Sequence, residues 1–203
     1  MKFAIFSLFS LMAALAAPCR AMSVIPPSFA SLVAQAEQIA RVEVTAVHSQ
    51  WDEGARGNVI HTYVECRVLK TLKGTAEPTI TVRMLGGRVG NDRMEIPGEP
   101  SFEVGGRYII FLAGNGSVFC PLEGIMHGSY RVLTDAATGV DHVARSNGQA
   151  LQAVEDVDLP MPESSIAAAA ARKSAASSQA TSGLTRDSFE TAVAEELNHA
   201  STR

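Results

Sequence analysis

The sequence predicts a mainly β protein: a small OB-like β-barrel with an N-terminal helix, followed by a flexible linker and a C-terminal helix. Three observations carry this expectation. First, Tyr108-Ile109-Ile110-Phe111-Leu112 is a short run of aromatic, branched and apolar side chains, bounded by Gly105-Gly106 and by Gly114-Asn115-Gly116. So short a run between glycine turns suits a strand buried on both faces, whereas a helix needs more length. Second, short segments of apolar–polar alternation recur on either side of it, separated by Gly, Pro, Asn and Asp turns, as in barrels and sandwiches. Third, the composition after about residue 156 shifts to Ala and Ser, with few side chains able to build a core.

The chain opens with Lys2 and an uncharged, largely apolar stretch over residues 3–17. Cys19-Arg20-Ala21 then places small residues at −3 and −1 of a cleavage site after Ala21. This is the pattern of a secretory signal peptide, too short for a spanning helix. A lipoprotein signal with Cys19 lipidated is the alternative, and Pro18 and Arg20 on either side argue against it. Cleavage takes the 17 basic residues to 15 against 21 acidic ones, a formal charge of −6. No basic concentration follows a nucleic-acid backbone, and no second apolar run reaches membrane-spanning length.

Ser28 stands before Phe29, Leu32, Val33 and Ala36, whose spacing predicts a short helix capped by Ser28 and ending near Gln38. Val42, Val44 and Ala46 then alternate with Arg41, Glu43 and Thr45 in a half-buried strand over residues 39–47. Residues 52–58 read as a turn. The next strand, residues 59–69, has Ile60, Thr62, Val64, Cys66 and Val68 on one face and His61, Tyr63, Glu65 and Arg67 on the other. Gly74 stops this segment, and residues 79–85 form a third strand with Ile80, Val82 and Met84 inward. Residues 86–100 read as an exposed loop. Residues 118–122 and 125–133 are two further strand candidates, the first at an edge because of Pro121. Residues 135–139 turn the chain into a strand over 140–144. The domains expected are thus a signal peptide (1–21), the barrel (22–156), a low-complexity linker (157–183) and an amphipathic helix (184–203). In that helix Phe189, Val193 and Leu197 repeat at i, i+4 and i+8, and Glu190, Glu195 and Glu196 face away. Such a stripe packs on its own core or docks on a partner.

Catalytic signatures are missing. The five histidines, His48, His61, His127, His142 and His199, show no metal-ligand spacing, and neither HExxH nor GxSxG occurs. Gly86, Gly87 and Gly90 suggest a phosphate loop, but no Gly-Lys-Ser/Thr follows, and Pro97 and Pro100 prevent a helix from opening there. No cofactor is expected. Cys120, between Phe119 and Pro121, sits in an apolar setting that raises a thiol pKa. Cys66 and Cys120 are candidates for a disulfide in an oxidising compartment, the alternative being two buried thiols. Asn115-Gly116-Ser117 matches a glycosylation acceptor and reads as a turn. Trp51, the single tryptophan, covers a barrel mouth or stands exposed to bind something apolar.

LVAQAEQIARVEVTAVHSQW, HTYVECRVLKTLKG, ITVRMLGGRVG and FEVGGRYIIFL together resemble a group of uncharacterised exported bacterial proteins. The shared signature is a helix with Ala-Glu, a strand ending in Leu-Lys-Gly, and Val-Gly-x-x-Tyr before a buried strand. It covers residues 29–132. The resemblance implies an OB-type barrel similar to netrin-like and metalloproteinase-inhibitor domains. Those inhibitors chelate a protease zinc through a mature N-terminal cysteine; here the expected mature residue is Met22, so that role does not carry over.

Three functions fit these expectations. The first is an exported, non-enzymatic binding module for an exported or envelope protein, with Arg88, Asn91, Asp92 and Arg93 as the partner-contact loop. The second is a regulator of an exported metalloprotease that enters the cleft by a loop. The third is a hydrolase whose site gathers residues distant in sequence, such as His61, His127 and Glu65.

Overall fold

The computed structural model describes residues 25–54, 57–96, 98–161 and 183–202. The expected signal peptide and most of the Ala/Ser-rich stretch lie outside them. Helix α1 (Phe29–Gln35) is followed by the long strands β1 (Gln38–Gly54) and β2 (Gly57–Lys73), then β3 (Thr79–Leu85). A small ribbon, β4 (Gly87–Val89) with β5 (Asp92–Met94), comes next, then β6 (Arg107–Leu112), β7 (Ser129–Thr134), β8 (Asp141–Arg145) and helix α2 (Arg186–Ser201). The main sheet is antiparallel with the order β3-β2-β1-β6-β7-β8.

The sheet is not closed into a barrel, contrary to the OB-like expectation. The reason lies at its edges: Asn115 and Phe119 take the outward backbone groups of β3, and Leu151 and Leu184 those of β8, so the two strands do not meet. Tyr108, Ile110 and Leu112 point into one apolar cluster with Val42, Val44, Val64, Cys66, Val82 and Leu122. Ile109 and Phe111 point into another, with Ile39, Tyr130, Val132 and Val143. The sheet therefore carries a separate apolar core on each face.

The helices cover the second face. Ser28 caps α1 as expected, its Oγ accepting from the Ser31 amide at 3.2 Å. Lys73 Nζ donates to the Val33 and Ala34 carbonyls at 2.8 and 2.9 Å, tying the end of α1 to the end of β2. Helix α2 docks on the chain's own core: Phe189 and Val193 are fully buried. The Phe189 ring lies 5.6 Å from Phe29, 6.2 Å from Phe111 and 5.0 Å from Tyr130. Glu190 does not face away. It is 5% exposed, with Oε1 2.9 Å from Arg41 Nε and Oε2 2.7 Å from Lys70 Nζ, because α2 crosses the sheet where β1 and β2 present those two cations. Val157, within a 3-10 turn over Val154–Asp158, and Met161 after it are buried too.

Other boundaries move for local reasons. Strand β1 runs through the expected turn to Gly54, with Trp51 opposite Ile60 and Asp52 opposite Val59. Residues 118–122 form no strand; only an isolated bridge joins Leu122 to Leu112. Ile125–His127 is a 3-10 turn entered by Gly124 at φ +64°, and β7 starts at Ser129. The turn into β8 matches the expectation, Asp135 Oδ1 accepting from the amides of Ala137 and Thr138.

Phe189 joins both helices to the sheet, so Phe189→Ala is expected to lower the unfolding free energy by about 3–5 kcal/mol. Urea denaturation followed by circular dichroism measures it.

Candidate functional site: the distal half of the β1–β2 hairpin

Strands β1 and β2 each run for 17 residues, but β6 pairs with β1 only from Gln38 to Glu43. The remainder of the hairpin extends past the helices. A bulge at Thr45 decides what this extension displays. Val44 pairs with Cys66 and Ala46 with Glu65, which leaves Thr45 as the extra residue. Val42 and Val44 point into the first core, but beyond the bulge the inward row becomes Val47, Ser49 and Trp51, opposite Val64, Thr62 and Ile60. The outward row becomes His48, Gln50 and Asp52, opposite Tyr63, His61 and Val59.

The β4–β5 ribbon closes the inward side. A Cβ on Gly87 would lie 2.3 Å from Thr62 Oγ1 and 2.4 Å from Ser49 Oγ, at φ +131°, so only glycine lets the ribbon approach this closely. Thr62 Oγ1 bonds Ser49 Oγ at 2.9 Å and donates to the Gly86 carbonyl at 2.8 Å.

On the outward side Asp52 is the hub. Its carboxylate accepts from Gln50 Nε2 at 2.9 Å, Tyr63 Oη at 2.5 Å and His61 Nδ1 at 2.9 Å. The Tyr63 hydrogen bond, helped by Gln50, holds the Asp52 carboxyl below its ordinary range. The same bond pushes the Tyr63 phenol up. The His48 ring stacks on Tyr63, centroids 5.4 Å apart and planes inclined by 13°, and His48 Nδ1 lies 3.7 Å from Glu65 Oε1. Rings and carboxylates are therefore held in fixed positions on a face that α1 and α2 leave open.

Arg88, Asn91, Asp92 and Arg93 are exposed at the tip of the β4–β5 ribbon, so the expected loop is two short strands and a turn. Arg93 pairs with Glu95. Cys66 and Cys120 are free thiols in the first core, and burial pushes them up to about 12 and about 11. Trp51 covers no barrel mouth; it is 44% exposed on the hairpin.

His61, His127 and Glu65 are not gathered into one cluster. His61 and Glu65 share the outward row of β2 with separate partners, Asp52 and His48. His127 is buried in the turn before β7, held down to about 4 by burial first and then by the charge of Arg145. Among the described residues no group of three His, Cys, Asp or Glu side chains could hold a metal ion. Asn115 lies in a turn as expected, its amide bonding the backbone of Thr81 and Arg83.

Sequence reasoning missed the Asp52–Tyr63–His61 grouping, because the bulge that aligns it leaves no compositional mark. It also missed the burial of Glu99, whose Oε1 is shut off from solvent and whose Oε2 lies near Gly86. Comparison of the chain with models of known protein families and with characterised proteins gives no match.

Burial raises the Glu99 carboxyl from 4.5 to about 7. Between these values the folded chain holds a proton that the unfolded chain has released, so this group's contribution to stability falls as pH rises. Glu99→Gln removes that loss. The variant is expected to gain stability over the parent progressively from pH 4.5 to 7, and urea midpoints across that range measure the gain.

Proposed function

We propose that the chain is an exported, non-enzymatic binding module that recognises an exported or envelope protein through the far end of its hairpin. The supporting observation is the fixed polar and aromatic face of His48, Tyr63, His61 and Asp52, with the braced ribbon that carries Arg88, Asn91, Asp92 and Arg93 on the other side of the same hairpin. Groups already held by hydrogen bonds lose little entropy on contact, which favours recognition. The same bonds favour binding over catalysis. Asp52 is already engaged by Gln50, His61 and Tyr63, and a phenol pushed up by a carboxylate is a poor nucleophile. The leader pattern of Lys2 and residues 3–21 supports export to the periplasm or beyond. No helix of the described residues is long and apolar enough to cross a membrane.

A second reading, a regulator of an exported metalloprotease, is favoured by the bracing of the β4–β5 ribbon through Gly87, which suits entry into a cleft. A panel of exported metalloproteases left uninhibited by the chain removes it.

The test is affinity capture from an envelope extract with residues 22–203, read by mass spectrometry. One stoichiometric protein is expected with the parent chain and is lost on replacing Arg88, Asn91, Asp92 and Arg93 by Ala. Capture unchanged by those replacements and by Tyr63→Ala with His48→Ala overturns the proposed surface.

A further inference from the structure

We propose that the free backbone edge of β1 between Ala46 and Glu53 is a self-association site, where two copies of the chain pair antiparallel about Ser49. This surface lies on the rim of the hairpin, and the inference is independent of the partner-recognition reading above.

The direction of the backbone groups follows from hydrogen bonds on the far side of β2. There the Val68 amide donates to the Pro78 carbonyl at 2.9 Å and the Ile60 carbonyl accepts from the Gly86 amide at 2.7 Å. Even-numbered residues of β2 therefore turn toward β3, and odd-numbered ones toward β1. Val59, His61, Tyr63 and Glu65 pair with Asp52, Gln50, His48 and Ala46. These four residues of β1 spend their amides and carbonyls on β2. Val47, Ser49 and Trp51 turn theirs the other way.

Nothing described meets them. The partnership with β6 stops at Glu43, and Val44 is the last residue served from that side, exchanging bonds with Gly106 at 2.9 Å and Gly105 at 2.8 Å. Beyond Val44 no backbone partner from the described residues pairs with this edge.

The two outer edges of the sheet are treated differently. Along β3, Asn115 bonds the Arg83 amide and the Thr81 carbonyl, and the Leu85 amide donates to the Phe119 carbonyl at 2.7 Å. Along β8, Val143 accepts from the Leu151 amide and donates to the Leu184 carbonyl, each at 3.0 Å. Proteins blunt open edges with lysine, proline, bulges or covering segments. From Ala46 to Trp51 the sequence AVHSQW carries neither lysine nor proline, and the bulge lies before this stretch.

The residue pattern selects a second copy as the occupant. With Ser49 on a two-fold axis, Val47 of each chain faces Trp51 of the other, and all three positions present outward backbone groups, so the hydrogen-bonding phase matches. Val47 is 38% exposed and Trp51 44%, and this pairing covers both with apolar surface. Across the other face His48 meets Gln50, and Asp52 meets Ala46; farther out Glu53 meets Thr45. No like charges oppose each other. Centring on Val47 instead would drive the second chain into Gly105 and Gly106, which already occupy Val44. Centring on Trp51 would leave Val47 without its apolar partner. The resulting contact is isologous and closed, which yields a dimer and no filament.

Sedimentation velocity on residues 22–203 over a concentration series tests the proposal. The parent chain is expected to form a dimer. Val47→Lys with Trp51→Lys, both at exposed positions, is expected to be a folded monomer by circular dichroism. The register is tested by mixing chains carrying His48→Cys with chains carrying Gln50→Cys. These positions face each other at a non-hydrogen-bonded pair about 4.5 Å apart at Cα, within disulfide reach. Oxidation is expected to cross-link the mixture and neither chain alone. A monomeric parent chain overturns the proposal, as does a dimer indifferent to the lysines or a mixture that fails to cross-link. Slow hydrogen exchange at the Val47, Ser49 and Trp51 amides of a monomer overturns it too, and assigns the edge to the chain's own remaining residues.

Discussion

The two-sided burial of β6 is the constraint from which the architecture follows. Six residues, Arg107–Leu112, hold five side chains at 4% exposure or less, shared between opposite faces of the sheet. Burying one such side chain contributes about 1.5–3 kcal/mol, so neither face can stay open where β6 lies. Two helices cover one side, and the segments on either side of β6 that carry Phe102, and Cys120 with Leu122, cover the other. Both layers are centred on a strand about 20 Å long, whereas each strand of the first hairpin extends about 56 Å at 3.3 Å per residue. The hairpin must outrun its cover. An arm with one open face is a consequence of unequal strand lengths across one sheet.

What that arm displays depends on a single extra residue. Without the bulge at Thr45, strict alternation would continue the inward row of Val42 and Val44 through Ala46, His48, Gln50 and Asp52. That would place an imidazole and a carboxylate under the β4–β5 ribbon and turn Val47, Ser49 and Trp51 outward. The bulge exchanges the rows. Ser49 can then meet Thr62 and the bare backbone of Gly87, while Asp52 reaches Tyr63 and His61 across the strand pair.

The sequence made legible whatever depends on local alternation. The Ser28 cap, the inward rows Ile80-Val82-Met84 and Ile60-Val64-Cys66, the double-faced strand at Tyr108 to Leu112 and the turn at Asp135 all stand where side-chain pattern and turn chemistry place them. What escaped depends on pairing between distant segments. Open sheet and closed barrel share the same strand pattern and differ in whether β3 meets β8, which no local signal encodes. Asp-Glu-Gly at residues 52–54 has the composition of a turn, yet cross-strand partners at Val59 and Asn58 extend the ladder through it. At the candidate site the loop residues Arg88 to Arg93 are visible as exposed polar sequence, but the Asp52 hub required the register.

Glu190 shows how a buried charge adds what an apolar stripe cannot. Phe189, Val193 and Leu197 would remain roughly in contact with the sheet if α2 slid or rotated by a fraction of a turn, because dispersion and hydrophobic burial are nondirectional. The carboxylate is not so tolerant. At 5% exposure it must keep both Arg41 and Lys70 within reach, and a shift of α2 leaves it desolvated without compensation. Breaking a buried pair in this way costs about 3–5 kcal/mol even where the intact pair adds little net stability. The triad therefore acts on specificity, fixing one placement of α2 over β1 and β2. Because Arg41 lies four residues before the Thr45 bulge on the same strand, it also fixes the base from which the hairpin departs. The position of the open face relative to the helical layer is in this way set by one carboxylate and two cations that face each other across the edge of the second core.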